Sequence, residues 1–133
     1  MATIFSKIIN GEIPCYKIHE NSEFFAFLDI NPLHEGHTLV VPKTDVDYLY
    51  DLEDDVLGRM IIFSKEIALS LKLAIPCVRI GLTVIGLEVP HAHIHLIPIS
   101  DMDDMNFAKP KLKLSSERMA IIQTQILSHI QDK

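Results

Sequence analysis

A chain of 133 residues, 48% of them apolar, is long enough for one packed core and too short for two, which excludes a disordered segment and a multidomain enzyme. Its 12 basic and 18 acidic residues leave a net charge of −6 with seven histidines counted as neutral, which argues against binding along a DNA or RNA backbone but leaves room for a small anion at a local site. No apolar run reaches the roughly 18 residues of a membrane helix, the start MATIFSKIINGEIP lacks a signal-peptide pattern, and the isolated Cys15 and Cys77 fit a reducing, cytoplasmic setting.

In chain order, residues 3–9 (TIFSKII) read as a short helix, broken by Gly11 and Pro14. Residues 15–19 (CYKIH) and 24–30 (FFAFLDI) read as strands about the polar turn at 20–23, and Asn31-Pro32 ends the second. His37 to Val41 (HTLVV) is a third strand, stopped by Pro42. Leu57, Met60, Ile61, Ser64, Ile67, Ala68 and Leu71 then recur at helical spacing, which predicts a helix over about 53–73, with acidic residues near its start and Pro76 beyond its end. Residues 78–85 (VRIGLTVI) and 91–97 (HAHIHLI) are the next strands, and 101–114 is a polar loop. Ser115 or Ser116 caps a last helix with an apolar stripe of Met119, Ile122, Ile126 and Ile130. Strands that mostly precede or follow one long helix point to an α+β fold with a mainly antiparallel sheet.

The segment His91-Ala92-His93-Ile94-His95 carries the chemistry. In a strand, alternate residues share a face, so the three imidazoles point one way and the apolar residues the other. Such a row is a solvated polar face, a metal site, or a device for chemistry at phosphorus. The outer two residues are about 13 Å apart on a straight strand, while zinc needs its ligands within about 2.1 Å. At most two of the three serve one ion, with help from His37 or a carboxylate. A row of imidazoles otherwise supplies an attacking nitrogen, hydrogen bonds to phosphate oxygens and a proton for a leaving group. The five glycines form neither GxGxxG nor a P-loop, so a phosphate is held by other means.

The histidine run resembles the signature of the histidine-triad (HIT) family. Three further blocks in family order strengthen the resemblance: IFSKII with GEIP from Ile4 to Pro14, FLDINP from Phe27 to Pro32, and GHTLVVPK from Gly36 to Lys43. The resemblance implies a five-stranded antiparallel sheet with one long central helix and a C-terminal helix, residues 1–133 forming a single domain that pairs into a homodimer. It implies hydrolysis or transfer of purine nucleoside monophosphates from phosphoramidate or adenylate conjugates. A non-catalytic nucleotide- or partner-binding protein and a dinucleoside polyphosphate hydrolase are the alternatives on the same scaffold.

By the same resemblance, His93 is the nucleophile, a carbonyl near His91 fixes its proton, and His95 hydrogen-bonds the phosphate. Asp29 accepts the ribose hydroxyls, while Ile4, Phe5, Ile8, Phe27, Ile30 and Leu39 sandwich the base. His37 is a fourth imidazole of the site or a zinc ligand. Many bacterial relatives bind zinc with two cysteines and histidines matching His37 and His91. The cysteine positions are Thr3 and Ser6 here, so no metal and no cofactor are expected. Relatives also carry polar residues before the triad, where this chain has Gly86-Leu87-Glu88. Glu88 there is expected to favour cationic amine leaving groups. His19, His34 and His129 read as surface residues and Cys15 and Cys77 as core thiols; Lys109, Lys111 and Lys113 either face an anionic substrate or form a solvated face, and charge clusters are usually the latter.

Overall fold

The computed structural model describes residues 2–130. Five strands, β1 (Lys17–Glu20), β2 (Phe24–Leu28), β3 (Thr38–Pro42), β4 (Arg79–Thr83) and β5 (Ile94–Ile99), form one antiparallel sheet in the order β1-β2-β3-β5-β4. Among the described residues three α-helices accompany it: α1 (Ile4–Ile9), α2 (Asp54–Ala74) and α3 (Ser116–Leu127). This is the expected α+β architecture with the expected long central helix.

The alternation of β2 and β3 decides the layering. Phe24, Ala26, Leu28 and Val40 join the main core under α2 and α3, together with Met60, Phe63, Ile67, Leu71, Met119, Ile122 and Ile126. Phe25, Phe27, Leu39 and Val41 point to the other face and build a second, smaller cluster with Phe5 of α1. Both strands are therefore buried throughout and read as continuous apolar runs. Burial of each large side chain in these layers stabilises the fold by about 1.5–3 kcal/mol.

Several boundaries differ from the sequence reading. Helix α2 shows a rotated stripe: Ile61 is exposed, whereas Phe63 and Ser70 are buried. The Ser70 hydroxyl is accommodated by donating to the His129 carbonyl at 3.1 Å. The loop expected at 101–114 contains a 3-10 turn, Met102–Met105, capped by Asp101. Cys15 and Cys77 are half-buried and free, not core thiols. His19 and His34 are half-buried, and His19 stacks on Phe63 with ring centroids 5.5 Å apart. Most consequential, β5 begins at Ile94, so His91 and His93 lie ahead of the strand instead of within it.

Candidate active site

The site forms where β2, β3 and β5 face α1. Across the sheet, Phe27 pairs with Leu39 and Leu39 with His95, so these three side chains lie in one row on one face. Beyond the start of β5 the chain leaves the ladder. Ala92 N–H donates to the Val46 carbonyl at 2.6 Å, past the end of β3 at Pro42, which has no N–H to offer. His91, His93 and His95 are all buried, at 0%, 6% and 8% exposure. The triad is buried and is not a solvated face. Its rings also diverge: His93 and His95 lie edge-to-face with centroids 4.9 Å apart, while His91 has other partners.

Those partners determine where each proton sits. His91 Nε2–H donates to the Pro42 carbonyl at 2.8 Å, which leaves Nδ1 bare to accept the Thr3 hydroxyl at 3.0 Å. His93 Nδ1–H donates to the His91 carbonyl at 2.7 Å. A carbonyl only accepts, so Nε2 of His93 keeps its lone pair. Leu33 N–H donates to His37 Nδ1 at 3.0 Å, which places the His37 proton on Nε2. That proton is donated to His95 Nδ1 at 3.0 Å, so His95 carries its own proton on Nε2. The neutral tautomers are thereby assigned as one set: a bare nitrogen on His93 and an N–H on His95.

Burial keeps these rings neutral. Desolvation first, and neighbouring imidazoles and Lys111 next, push His37 down to about 3 and His95 to about 4. His93 is lowered as well, mainly by burial, against the raising effect of its bond to the His91 carbonyl. Asp29 moves the other way. Burial raises its carboxyl to about 6, although Asn31 N–H donates to Oδ1 at 2.8 Å. Its Oδ2 stands 3.6 Å from His37 Nε2. With His37 neutral, this is a polar contact and not an ion pair.

Local sequence explains the placement. Thr3 and Ser6 form a capping box at the start of α1: Thr3 Oγ1 accepts Ser6 N–H at 3.1 Å and Ser6 Oγ accepts Thr3 N–H at 2.7 Å. The same Thr3 hydroxyl reaches His91, so the cap ties α1 to the triad. Gly36, at φ +90°, turns the chain into His37, and a Cβ there would lie 2.9 Å from Ile75 Cγ1. Phe5 packs edge-on against Phe27 at 5.5 Å and against His93 at 5.0 Å.

Of the residues expected around the base, Phe5, Phe27 and Leu39 form the small cluster and Ile8 packs on it. Ile4 and Ile30 are 49% and 66% exposed and are not brought into it. Ile4 instead lines a groove of about 450 Å³ with Asp45, Asp47 and Glu88. Glu88 is exposed, yet its charge acts on both Asp29 and His93. The larger cavity, about 530 Å³ between α2 and the chain's C-terminal end, is lined by residues such as His19, Leu69 and His129, away from the triad.

The structure separates the histidines that a zinc site would combine. His37 lies with His95, whereas His91 faces Thr3 and, at 3.8 Å, Asp45. The hydroxyls of Thr3 and Ser6 are committed to the helix cap, and neutral hydroxyls are poor zinc ligands. Donor atoms of Asp29, His37 and His95 do lie within 4.8 Å of one another. A cation there requires a bare His37 Nε2, hence a proton on Nδ1, which already faces the Leu33 N–H. The donor set therefore fits a proton-ordered chain and not a metal.

Sequence reasoning missed Thr3 as the partner of His91, Asp45 beside it, and Phe107, whose ring lies 5.0 Å from His95 and 6.2 Å from His37. The Thr-x-x-Ser capping pattern was a readable signal for a helix start at Thr3; nothing local marks Phe107.

Comparison with known proteins finds relatives of one family and one fold. The family model described as the HIT domain matches residues 10–102. An uncharacterized HIT-like protein of Borreliella burgdorferi is 38% identical over 135 residues, covering 96% of this chain and 97% of that one. The adenosine 5'-monophosphoramidase HNT1 of Saccharomyces cerevisiae is 40% identical over 101 residues, covering 75% of this chain and 64% of the yeast protein. The crystal structure of a Hit-like protein from Bartonella henselae superposes with a TM-score of 0.82 at 28% identity, covering 96% of this chain and 95% of that one.

Proposed function

The chain belongs to the HIT domain family, and from that membership we propose that it is a nucleotidyl hydrolase or transferase. Its substrates are purine nucleoside monophosphate conjugates of the phosphoramidate or adenylate type, and its intermediate is a nucleotidyl-histidine on His93. The observation that carries this reading is the proton order of the site: a bare His93 Nε2 beside an N–H on His95.

The Nε2 lone pair of His93 attacks the α-phosphorus, and the bond from phosphorus to the leaving group breaks. The bonding pair departs with the leaving group, which takes a proton from solvent. The imidazole becomes cationic as the N–P bond forms, and the His91 carbonyl, already accepting from Nδ1–H, stabilises that charge. His95 Nε2–H donates to a non-bridging phosphate oxygen. Water then attacks phosphorus, the N–P bond breaks, and the nucleoside monophosphate and a proton are released with His93 restored. His37 acts one bond further out, by holding His95 in the donating tautomer.

Asp29 accepts the ribose hydroxyls. Phe5, Ile8, Phe27 and Leu39 receive the purine, with exposed Ile4 and Ile30 as a rim. Glu88 faces the leaving-group side and favours amines that carry positive charge. We place this single domain, residues 1–133, in the cytoplasm, in line with its free cysteines; among the described residues no helix is long and apolar enough to cross a membrane. We further propose a homodimer formed through the β4 edge.

An acid-quenched reaction with an adenosine phosphoramidate tests the reading. An AMP adduct on the peptide containing His93, absent in His93→Ala, is the expected result. Binding without an adduct supports the non-catalytic alternative instead, and turnover only of dinucleoside polyphosphates moves the reaction to that class.

A further inference from the structure

The proposed substrate is an anion, yet the wall that receives its phosphate has no formal positive charge of its own. His37, His93 and His95 are held neutral by burial, and the nearby acidic groups are Asp29 and Glu88. The loop between β5 and α3 brings a cation to this wall. Phe107 lies edge-on over His95 and His37. Leu112 N–H donates to the Pro32 carbonyl at 2.8 Å, which pins the loop beside the turn that follows Asp29. Between these two anchors, Lys111 Nζ donates to the Phe107 carbonyl at 2.8 Å and stands 5.6 Å from the Phe107 ring centroid. The charge of Lys111 acts on Asp29, His37 and His95 alike, in each case in the direction a neighbouring cation produces. Lys109, on the same loop, is instead paired with Asp103 at 3.2 Å.

We propose that Lys111 is a substrate-contacting residue that donates from Nζ to a non-bridging phosphate oxygen of the bound nucleotide. An ammonium has three donors on a flexible stem, so Nζ keeps the Phe107 carbonyl and still reaches an anion beside His95. Lys111 thus supplies the positive charge that the neutral imidazoles lack. The proposal gives exposed Lys111 a ligand, and it rests on the nucleotide reading of the site.

The test compares AMP with adenosine, which lacks the phosphate. Affinities are read by chemical-shift titration of the full chain, which resolves weak binding, for wild type, Lys111→Gln and Lys111→Arg. In Lys111→Gln the ratio of AMP to adenosine affinity falls about tenfold, as expected for loss of a charge-assisted hydrogen bond, and Lys111→Arg restores most of it. If Lys111→Gln binds AMP as wild type does, the proposal is overturned and the nucleotide reading stands. If AMP and adenosine weaken together, Lys111 only clips the loop in place and the proposal is likewise overturned. If wild type itself binds no AMP, the nucleotide reading fails and Lys111 loses its assigned role with it.

Discussion

At the scale of residues, the chemistry of this site is written in which ring nitrogens face backbone groups. The Pro42 and His91 carbonyls can only accept and the Leu33 N–H can only donate, so backbone groups set the protons of His91, His93 and His37, and His37 in turn sets that of His95. Asp29 adds a titration within the working range. With its carboxyl raised to about 6, it is protonated below that pH and cannot accept two ribose hydroxyls as a carboxylate. We expect kcat/KM for an adenosine phosphoramidate to fall on acidification through about pH 6, and Asp29→Asn to raise KM more than it lowers kcat while moving that acid limb to lower pH. An unchanged limb in Asp29→Asn would assign it to another group. For Glu88, the ratio of activity on lysyl-type to uncharged phosphoramidates is the measure. Glu88→Gln is expected to lower it several-fold, in keeping with an exposed charge interaction of up to about 1 kcal/mol, and an unchanged ratio rejects the role.

At the scale of elements, the apolar runs FFAFL and HTLVV read as strands, and the two faces they present in the sheet follow from period 2. The histidine run obeyed that logic only in part. His95 is in register with Leu39, but His91 and His93 stand outside the strand because their neighbour Ala92 takes its acceptor from Val46 and not from β3. Nothing in the run itself announces a partner 46 residues away. The helix stripe shows the same limit: the interior needed the bulk of Phe63 more than that of Ile61, a matter of which neighbours α2 meets. Gly36 joins the two scales. Its positive φ and the short approach to Ile75 lead us to expect that Gly36→Ala destabilises the protein by about 1–3 kcal/mol, read as a lower urea midpoint at constant m-value. The bidentate pair of Arg118 with Glu35, at 2.8 and 2.6 Å, holds the same turn from α3, so the strain has little room to relax.

At the scale of the whole molecule, two properties follow from burial. The first is acid sensitivity. His37 and His95, depressed to about 3 and about 4 from an ordinary 6.5, contribute stability that is complete above pH 6.5 and is lost as pH falls toward those values. Asp29, raised from 3.8 to about 6, opposes them, since its contribution is complete below pH 3.8 and is lost as pH rises through about 6. His93 is lowered too, so the imidazoles outnumber the carboxyl. Urea midpoints should fall between pH 6.5 and 4, less steeply in His37→Gln, and a flat profile contradicts the burial argument. The second is assembly. The β1 edge carries Lys17, Glu20 and Lys43 in ion pairs, whereas the β4 edge has one charge, Arg79 at its start, with Leu82 48% exposed, and Val84 and Ile85 follow it at 38% and 41%. Sedimentation is expected to show a dimer that Leu82→Glu dissociates; a monomeric wild type rejects the pairing. By itself the order of residues determined the α+β class, the strands β2 and β3 and the long central helix, because these depend on periodicity and residue type within a few positions. Only the tertiary structure decided that His37 belongs with His95, that Thr3 holds His91, and that Phe107 lies against His95 and His37. Each of those contacts joins segments far apart in the chain, and neither spacing nor composition carries the relative placement of such segments.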